Sequence, residues 1–411
     1  MTNSETKNFS QNVSSSYHLE DRGKCNKNTC TNTCNVPKLR FKGYNDEWKG
    51  VKLKNICSDF IVPMRDKPKE FNGNIPWCRI EDIEGNYFHG TKSNQYVSQE
   101  TIDVMNLKII PTGSVICSCS ASLGTYAINT RPIITNQTFI GLVCSDKISN
   151  HFLLNLMHTQ TKRLRIIAGG TTIPYISREK FEEYNIKIPN KDEQEKIASF
   201  LTLIDKKIEK QKELVELLKK YKRGLLSAIF SQKLRFKDDN GNDYPAWEEK
   251  RLENILKIKH GKSQKEIECN NGKYPILATG GEIGRTNSYL WDKPCVLIGR
   301  KGTIDKPQYM DTPFWTVDTL FYSEVFKENN AKYLYYLFNT INWKKYDEST
   351  GVPSLSAKTI ERIKVTLSIN YSEQLAISKI LSKFDDKIQQ EEFILKKLQN
   401  YKKGLLQQMF I

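Results

Sequence analysis

A long internal repeat constrains this chain more than any other stretch. Residues 193–230 read EQEKIASFLTLIDKKIEKQKELVELLKKYKRGLLSAIF, and residues 373–410 read EQLAISKILSKFDDKIQQEEFILKKLQNYKKGLLQQMF. The two copies align without a gap at a constant offset of 180 and share 14 of 38 residues. The identities include Glu193/Glu373, Gln194/Gln374, Asp205/Asp385, Ile208/Ile388, Tyr221/Tyr401, Gly224/Gly404 and Phe230/Phe410. A repeat of this length fixes architecture before any local element is assigned.

Each copy carries a 4-3 apolar spacing. The first runs Ile197, Leu201, Ile204, Ile208, Gln211, Val215, Leu218, Lys222, Leu225; the second runs Ile377, Leu381, Phe384, Ile388, Glu391, Leu395, Leu398, Lys402, Leu405. That is a heptad seam, and it predicts two long helices that pair as a coiled coil. Running antiparallel about a pseudo-twofold axis, the copies set Ile197 against Leu405, Ile204 against Leu398, Leu218 against Phe384 and Leu225 against Ile377. Gln211 and Glu391 then face each other as a polar pair that fixes register, or are simply solvated. Asp192 and Ser372 are the candidate N-caps. Each helix is about 57 Å long at 1.5 Å per residue.

A second repeat lies outside the helices. Lys38-Leu39-Arg40-Phe41 returns as Lys233-Leu234-Arg235-Phe236, Trp48 as Trp247 and Ile56 as Ile255. The second of these segments follows the first long helix; the first has no helix before it. A circular arrangement resolves the mismatch if the segment from Pro37 packs against the C-terminal helix. Between each KLRF segment and its helix lies a region with short apolar runs, such as Ser114–Ser120, Thr138–Cys144 and Cys295–Gly299. Helical stretches at His151–Thr161 and Ala331–Thr340 follow. Both regions close alike, GTTIPYIS at 170–177 against TGVPSLS at 350–356, then a short helix and a strand. The expected architecture is α+β: two globular domains separated by two long antiparallel helices. The expected boundaries are a disordered tail at 1–36, domains at 37–190 and 232–372, and long helices at 191–231 and 373–411. The tail is assigned on its Ser, Asn, Thr and Lys content, too poor in aliphatic residues to offset ordering entropy.

The chain has 63 Lys+Arg against 47 Asp+Glu, a net charge of +16, which favours a polyanionic partner such as nucleic acid. Mean hydropathy is −0.57, there is no apolar run long enough to span a membrane, and the N-terminus lacks a signal-peptide core; a cytoplasmic location is expected. The 10 cysteines then read as free thiols. Cys25, Cys30 and Cys34 cluster near His18 but form no CxxC pair, so no metal site is expected.

No catalytic constellation emerges. His260-Gly-Lys-Ser263 resembles the end of a phosphate loop, but Leu256 stands where its first glycine must be. The five histidines make no HExxH or HxH pattern, and no methyl-donor or base-holding motif is present. What remains are Gly-, Ser-, Thr- and Lys-rich loops beside strands. In the second region Arg300, Lys301, Gly302 and Thr303 form a tight basic turn suited to phosphate or a guanine edge, and Thr350 lies in the closing segment. The aligned positions of the first region offer Ser120, Ser122, Thr125, Asn136, Gln137, Thr171 and Thr172.

The order KLRF…W, globular region, EQ…DxxI…YKxGLL…F helix, given twice with dissimilar globular regions, resembles the specificity subunits of type I restriction–modification systems. The resemblance covers nearly all of residues 37–411. It implies two target-recognition domains that read the halves of a bipartite, asymmetric site on double-stranded DNA, with the helices as spacer and docking surface for two modification subunits. S-adenosylmethionine, ATP and Mg2+ would sit on the modification and restriction subunits, and no cofactor or catalytic residue on this chain. A stand-alone DNA-binding regulator and a coiled-coil scaffold for proteins are the other readings. Steep salt dependence of binding separates DNA partners from protein partners.

Overall fold

A computed structural model describes residues 19–21, 35–64, 66–120, 122–170 and 174–411. The chain divides into two compact units. The first comprises residues 1–212 and 394–411, the second residues 213–393. Each holds one globular domain and a stretch of both long helices, which run Lys191–Phe230 (the central helix) and Tyr371–Met409 (the terminal helix).

The first domain is built on a six-stranded sheet. Its order is Cys57–Ile61, Phe139–Cys144, Val115–Ser118, Tyr126–Asn129, Tyr87–Phe88, Ile83–Glu84. A three-stranded sheet (Ile134–Thr135, Ile75–Cys78, Tyr96–Val97) and a pair (Asn185–Ile188 with Lys49–Lys52) complete it. The second domain repeats the frame in shorter form. Its four-stranded sheet runs Leu256–Lys259, Leu320–Val325, Cys295–Gly299, Gln308–Met310, beside a three-stranded sheet (Gly281–Thr286, Tyr274–Ala278, Trp315–Thr316) and the pair Glu248–Arg251 with Lys364–Leu367. The central strands, VICS and CVLIG, are buried throughout, which explains why they read as unbroken apolar runs. Helix Asn150–Ile167 packs on the first domain and Ala331–Phe338 on the second; the former extends six residues past the apolar stretch that marked it.

Within each unit the long helices are antiparallel, and every seam residue named from the heptad pattern is buried or half-buried. Ile197, Leu201, Ile204 and Leu405 share the core of the first unit, with Ile208 packed against it. Ile377 and Leu381 share the core of the second with Leu225 beside them. Leu218, Phe384 and Gln211 are half-buried; Ile388, Leu398 and Glu391 are buried, and Glu391 accepts an ion pair from Lys387 at 2.6 Å. Ion pairs fix the direction: Lys402 with Asp205 in the first unit and Lys222 with Asp385 in the second. The residue numbers of both pairs total 607, so the two units use one register.

The expectation that Asp192 and Ser372 cap the long helices is incorrect. Asn190 Oδ1 accepts from Glu193 N at 3.0 Å, and Asn370 Oδ1 accepts from Glu373 N at 3.1 Å. The helices therefore begin at the residue after each asparagine, whose short amide reaches the third helical N–H. This places Glu193 and Glu373, both fully buried, on the first turn. Glu193 takes a two-pronged pair from Arg40 of the first KLRF segment, at 2.7 and 2.6 Å. Glu373 accepts from Arg235 Nε at 3.0 Å, Trp247 Nε1 at 2.9 Å and Ser368 Oγ at 2.6 Å. The neighbouring glutamines hold the domain helices: Gln194 Oε1 accepts from Ser149 N at 3.1 Å, and Gln374 Oε1 from Asn330 N at 2.7 Å.

The circular expectation is met inside the first unit. Trp48 lies 6.0 Å from Phe410 and 5.8 Å from Phe152, ring centre to ring centre. Trp247 makes the matching cluster with Phe230 at 5.8 Å and Tyr333 at 6.2 Å. Each tryptophan thus packs between its domain helix and the end of a long helix. For the first unit that end is Phe410, far away in sequence. Within the segment read as a tail, Leu19–Asp21 pair antiparallel with Leu39–Phe41; residues 1–18 and 22–34, which include His18, Cys25, Cys30 and Cys34, lie outside the described residues. Among the described residues no helix is long and apolar enough to cross a membrane, and no group of His, Cys, Asp and Glu is arranged to hold a metal ion.

Candidate nucleic-acid interface

In the second domain, strand Cys295–Gly299 ends in the basic turn. A Cβ on Gly299 would sit 2.2 Å from the Thr303 carbonyl oxygen, and Gly302 has φ +84°, so both positions require glycine. The backbone then stitches two loops to this turn. Arg300 N donates to Thr319 O at 2.8 Å, Gly302 N to Pro353 O at 2.8 Å, and Leu355 N to Arg300 O at 2.9 Å. Two further segments join. Val317 N donates to Leu277 O at 3.0 Å and Lys262 N to Thr316 O at 2.8 Å, which brings in residues 277–281 and 261–263. Five loops rich in Gly, Ser, Thr and Lys meet on one rim of the domain.

The side chains there differ in what they have free. Lys301, Gly302, Thr350 and Lys262 are exposed, and Thr303 is half-buried. Arg300 is tied to Asp318 by an ion pair and donates to its carbonyl at 3.4 Å. Asp347 holds the 349–354 loop by accepting from Ser349 N, Ser349 Oγ and Ser354 N at 3.0, 3.0 and 2.9 Å. These donors, the Ser354 N–H foremost, draw its carboxyl below the ordinary aspartate range.

The first domain repeats two of these backbone bonds and the bridge between the turn and the closing segment. Cys119 N donates to Thr138 O at 2.8 Å and Ile176 N to Cys119 O at 2.8 Å; Ser120 bridges Tyr175 as Lys301 bridges Ser354. The alignment of 119 with 300, 138 with 319 and 176 with 355 is therefore structural as well as sequential. Ser122 and Gln137 are exposed, and Ser120, Thr125 and Asn136 half-buried. Asn136 turns inward, its Oδ1 accepting from Thr138 N at 3.3 Å and Thr138 Oγ1 at 2.6 Å. Thr171 and Thr172 lie outside the described residues. Gly124, at φ +105°, has Thr161 where a Cβ would go, and Arg165 Nη2 donates to Leu123 O at 2.8 Å. The turn is thereby clamped to helix Asn150–Ile167.

The rims differ in charge. Lys301 and Lys262 are exposed on the second. On the first, Arg165 is directed at Leu123 O, and Lys180 Nζ donates to Ile167 O at 2.7 Å. Sequence reasoning missed Lys262 and Thr279. Lys262 falls within His260-Gly-Lys-Ser263, the stretch that resembles the end of a phosphate loop. A Cβ on Gly261 would fall 2.1 Å from Val317 O, so this glycine serves close loop packing. Thr279 precedes a Gly280-Gly281 hairpin tip and touches the Gly299 position, a proximity the sequence alone does not carry.

Residues 45–219 and 245–400 match the family described as type I restriction modification DNA specificity domain. The specificity subunit of type I restriction enzyme MjaIX from Methanocaldococcus jannaschii is 28% identical over 246 residues, covering 56% of this chain and 57% of that protein. That match spans just over half of the relative's length. The EcoprrI specificity subunit from Escherichia coli is 25% identical over 373 residues, 84% of this chain and 88% of its own. Among solved structures, the type I restriction–modification S subunit from M. genitalium shares the fold with a TM-score of 0.63 and 21% identity, over 92% of this chain and 99% of that one.

Proposed function

Because the chain belongs to the type I restriction–modification DNA specificity family, we infer that its two loop rims each read one half of a bipartite DNA site. The observation that carries this is that two matching backbone bonds and a matching bridge hold the turn in both domains, while the rim side chains differ, Ser122 and Gln137 on one, Lys301, Lys262 and Thr350 on the other. One frame with two sets of contact groups presents two different hydrogen-bonding patterns to base edges. The full site is then asymmetric. Lys301 and Lys262 position the second domain on phosphates, while Thr303, Thr350, Ser122, Thr125 and Gln137 supply uncharged contacts. Arg300 buttresses the 317–319 loop through Asp318, and Asn136 shapes its own loop.

Adenine methylation and ATP-dependent cleavage are assigned to modification and restriction subunits, which would bring S-adenosylmethionine, ATP and Mg2+. The exposed face of the central helix within the second unit, with Leu214, Leu217 and Tyr221, is the surface offered to them. The test is co-expression with the cognate modification subunit in a host lacking adenine methylation, followed by modified-base sequencing. One gapped, asymmetric motif, absent without this chain, is the expected result. Replacing residues 237–368 should change one half of that motif only. Absence of any motif, with both proteins made and bound to each other, refutes the reading.

A further inference from the structure

We propose that Val352 is a positioning residue: an apolar wedge that enters the DNA stack beside the base to be methylated in the half-site read by the second domain. This rests on the DNA-reading function above. Val352 is 67% exposed, on a loop of otherwise polar and small residues, Ser349-Thr-Gly-Val-Pro-Ser354. It packs into no core cluster. The loop that carries it is held firmly. Asp347 accepts three hydrogen bonds from it, and Glu348 accepts from Ser356 Oγ at 3.0 Å at its base. The adjoining Pro353 carbonyl receives Gly302 N at 2.8 Å, so Val352 stands beside the basic turn that carries Lys301. The arch presents an isopropyl group to water next to the exposed Lys301, and covering that group on binding is favourable.

The repeat narrows the role. Aligning Pro174 with Pro353 sets Ile173 opposite Val352; Ile173 lies outside the described residues, so the comparison is one of sequence. Thr171 also matches Thr350 in this alignment, while Gly170 and Thr172 stand opposite Ser349 and Gly351. An aliphatic residue kept at the same place in both serves something both half-sites share. Each half-site shares a target base that a methyltransferase has to draw out of the helix. Unstacking costs a few kcal/mol, and inserted aliphatic side chains are an established means of offsetting it.

The experiment uses the full chain in complex with its modification subunits, on a duplex of the mapped site with 2-aminopurine in place of the target adenine of the second half-site. The wild-type complex should raise 2-aminopurine fluorescence several-fold as the base leaves the stack. Val352→Thr, which keeps the shape and removes the apolar end, should lose most of that rise and slow methylation of this half-site at least tenfold. Val352→Ile should restore both. Methylation of the first half-site by the same variant reports on folding and assembly and should be unchanged. Fluorescence and rate in Val352→Thr equal to wild type, or an equal loss at both half-sites, overturns the wedge. Failure of the wild-type complex to bind the duplex at all refutes the DNA-reading function instead.

Discussion

Trp48 and Trp247 occupy matching sites, yet their indole N–H groups do not share a fate. Trp247 Nε1 donates to the buried Glu373 carboxylate at 2.9 Å. Among the described residues Trp48 Nε1 is buried without a hydrogen-bond partner, as is Arg40 Nη1. In the second unit Arg235 Nη2 finds the Tyr244 and Pro245 carbonyls at 3.2 and 2.8 Å. The longer stretch between Phe236 and Trp247 supplies those carbonyls; the shorter one between Phe41 and Trp48 does not. Replacing each tryptophan by phenylalanine removes a similar volume from a similar aromatic cluster. Trp247→Phe also deletes a hydrogen bond to a charged acceptor, worth about 1.5–3 kcal/mol, and leaves the carboxylate short of a donor. Trp48→Phe deletes a donor that had no acceptor, which relieves about 1–3 kcal/mol and offsets the loss of packing. Trp247→Phe should therefore destabilise its unit by about 3 kcal/mol more than Trp48→Phe destabilises its own. Native-state hydrogen exchange read by mass spectrometry follows each unit's own opening and avoids assuming that the whole chain unfolds in one step. Equal losses of protection for the two variants would refute this accounting.

Other expectations are as direct. Lys301→Gln should weaken DNA binding to all sequences about equally and lower the slope of log affinity against log salt by about 0.9, read by titration at several salt concentrations. Arg300→Gln frees Asp318 and should alter binding mainly through a displaced 317–319 loop, with little change in salt slope. His158 is buried beside Tyr126; burial first, then the nearby Lys402 charge, holds its pKa down to about 4. An unfolded histidine titrates near 6.5, so the unfolded chain binds the extra proton first as pH falls. The first unit should keep full stability above about 6.5 and lose it progressively toward pH 4, and His158→Phe should flatten that slope in pH-dependent hydrogen exchange. The Asp347 carboxyl is held low, so its support of the 349–354 loop is present above the ordinary aspartate pKa and lost as pH falls through its lowered value. Asp347→Asn should raise exchange at residues 349–354 at neutral pH without changing the rest of the second domain.

The parts legible in the sequence are those written twice. Two copies of the heptad pattern fixed which residues are buried along the helices, because burial on one stripe leaves a period in the text. The circular closure was legible for the same reason: a KLRF segment without a helix before it needs one from elsewhere, and Phe410 supplies it. The caps were not. Asp192, Ser372, Asn190 and Asn370 are all competent N-cap residues, and the choice depends on where the preceding strand releases the chain. The Glu-Gln pair at each helix start was visible as a repeat but not as a clamp, since its partners Arg40, Ser149, Arg235 and Asn330 are brought to it only by folding. At the rims, loop identity was legible and side-chain availability was not. Nothing in Arg300 or Asn136 as letters shows that one is taken by Asp318 and the other by Thr138.

The dependence of the first unit on Phe410 sets an order for synthesis. The second unit uses residues 213–393 and has all its parts once these have left the ribosome. The first unit begins earlier but needs residues 394–411 to cover Trp48 and to seat Leu405 beside Ile197 and Leu201. Domains generally fold in the order they emerge; here the half that is made first must be completed last. During that interval Trp48, Phe152 and the first turns of the central helix remain uncovered, which makes this the window in which a nascent chain is open to capture by chaperones or to pairing with the same stretch of a neighbouring chain.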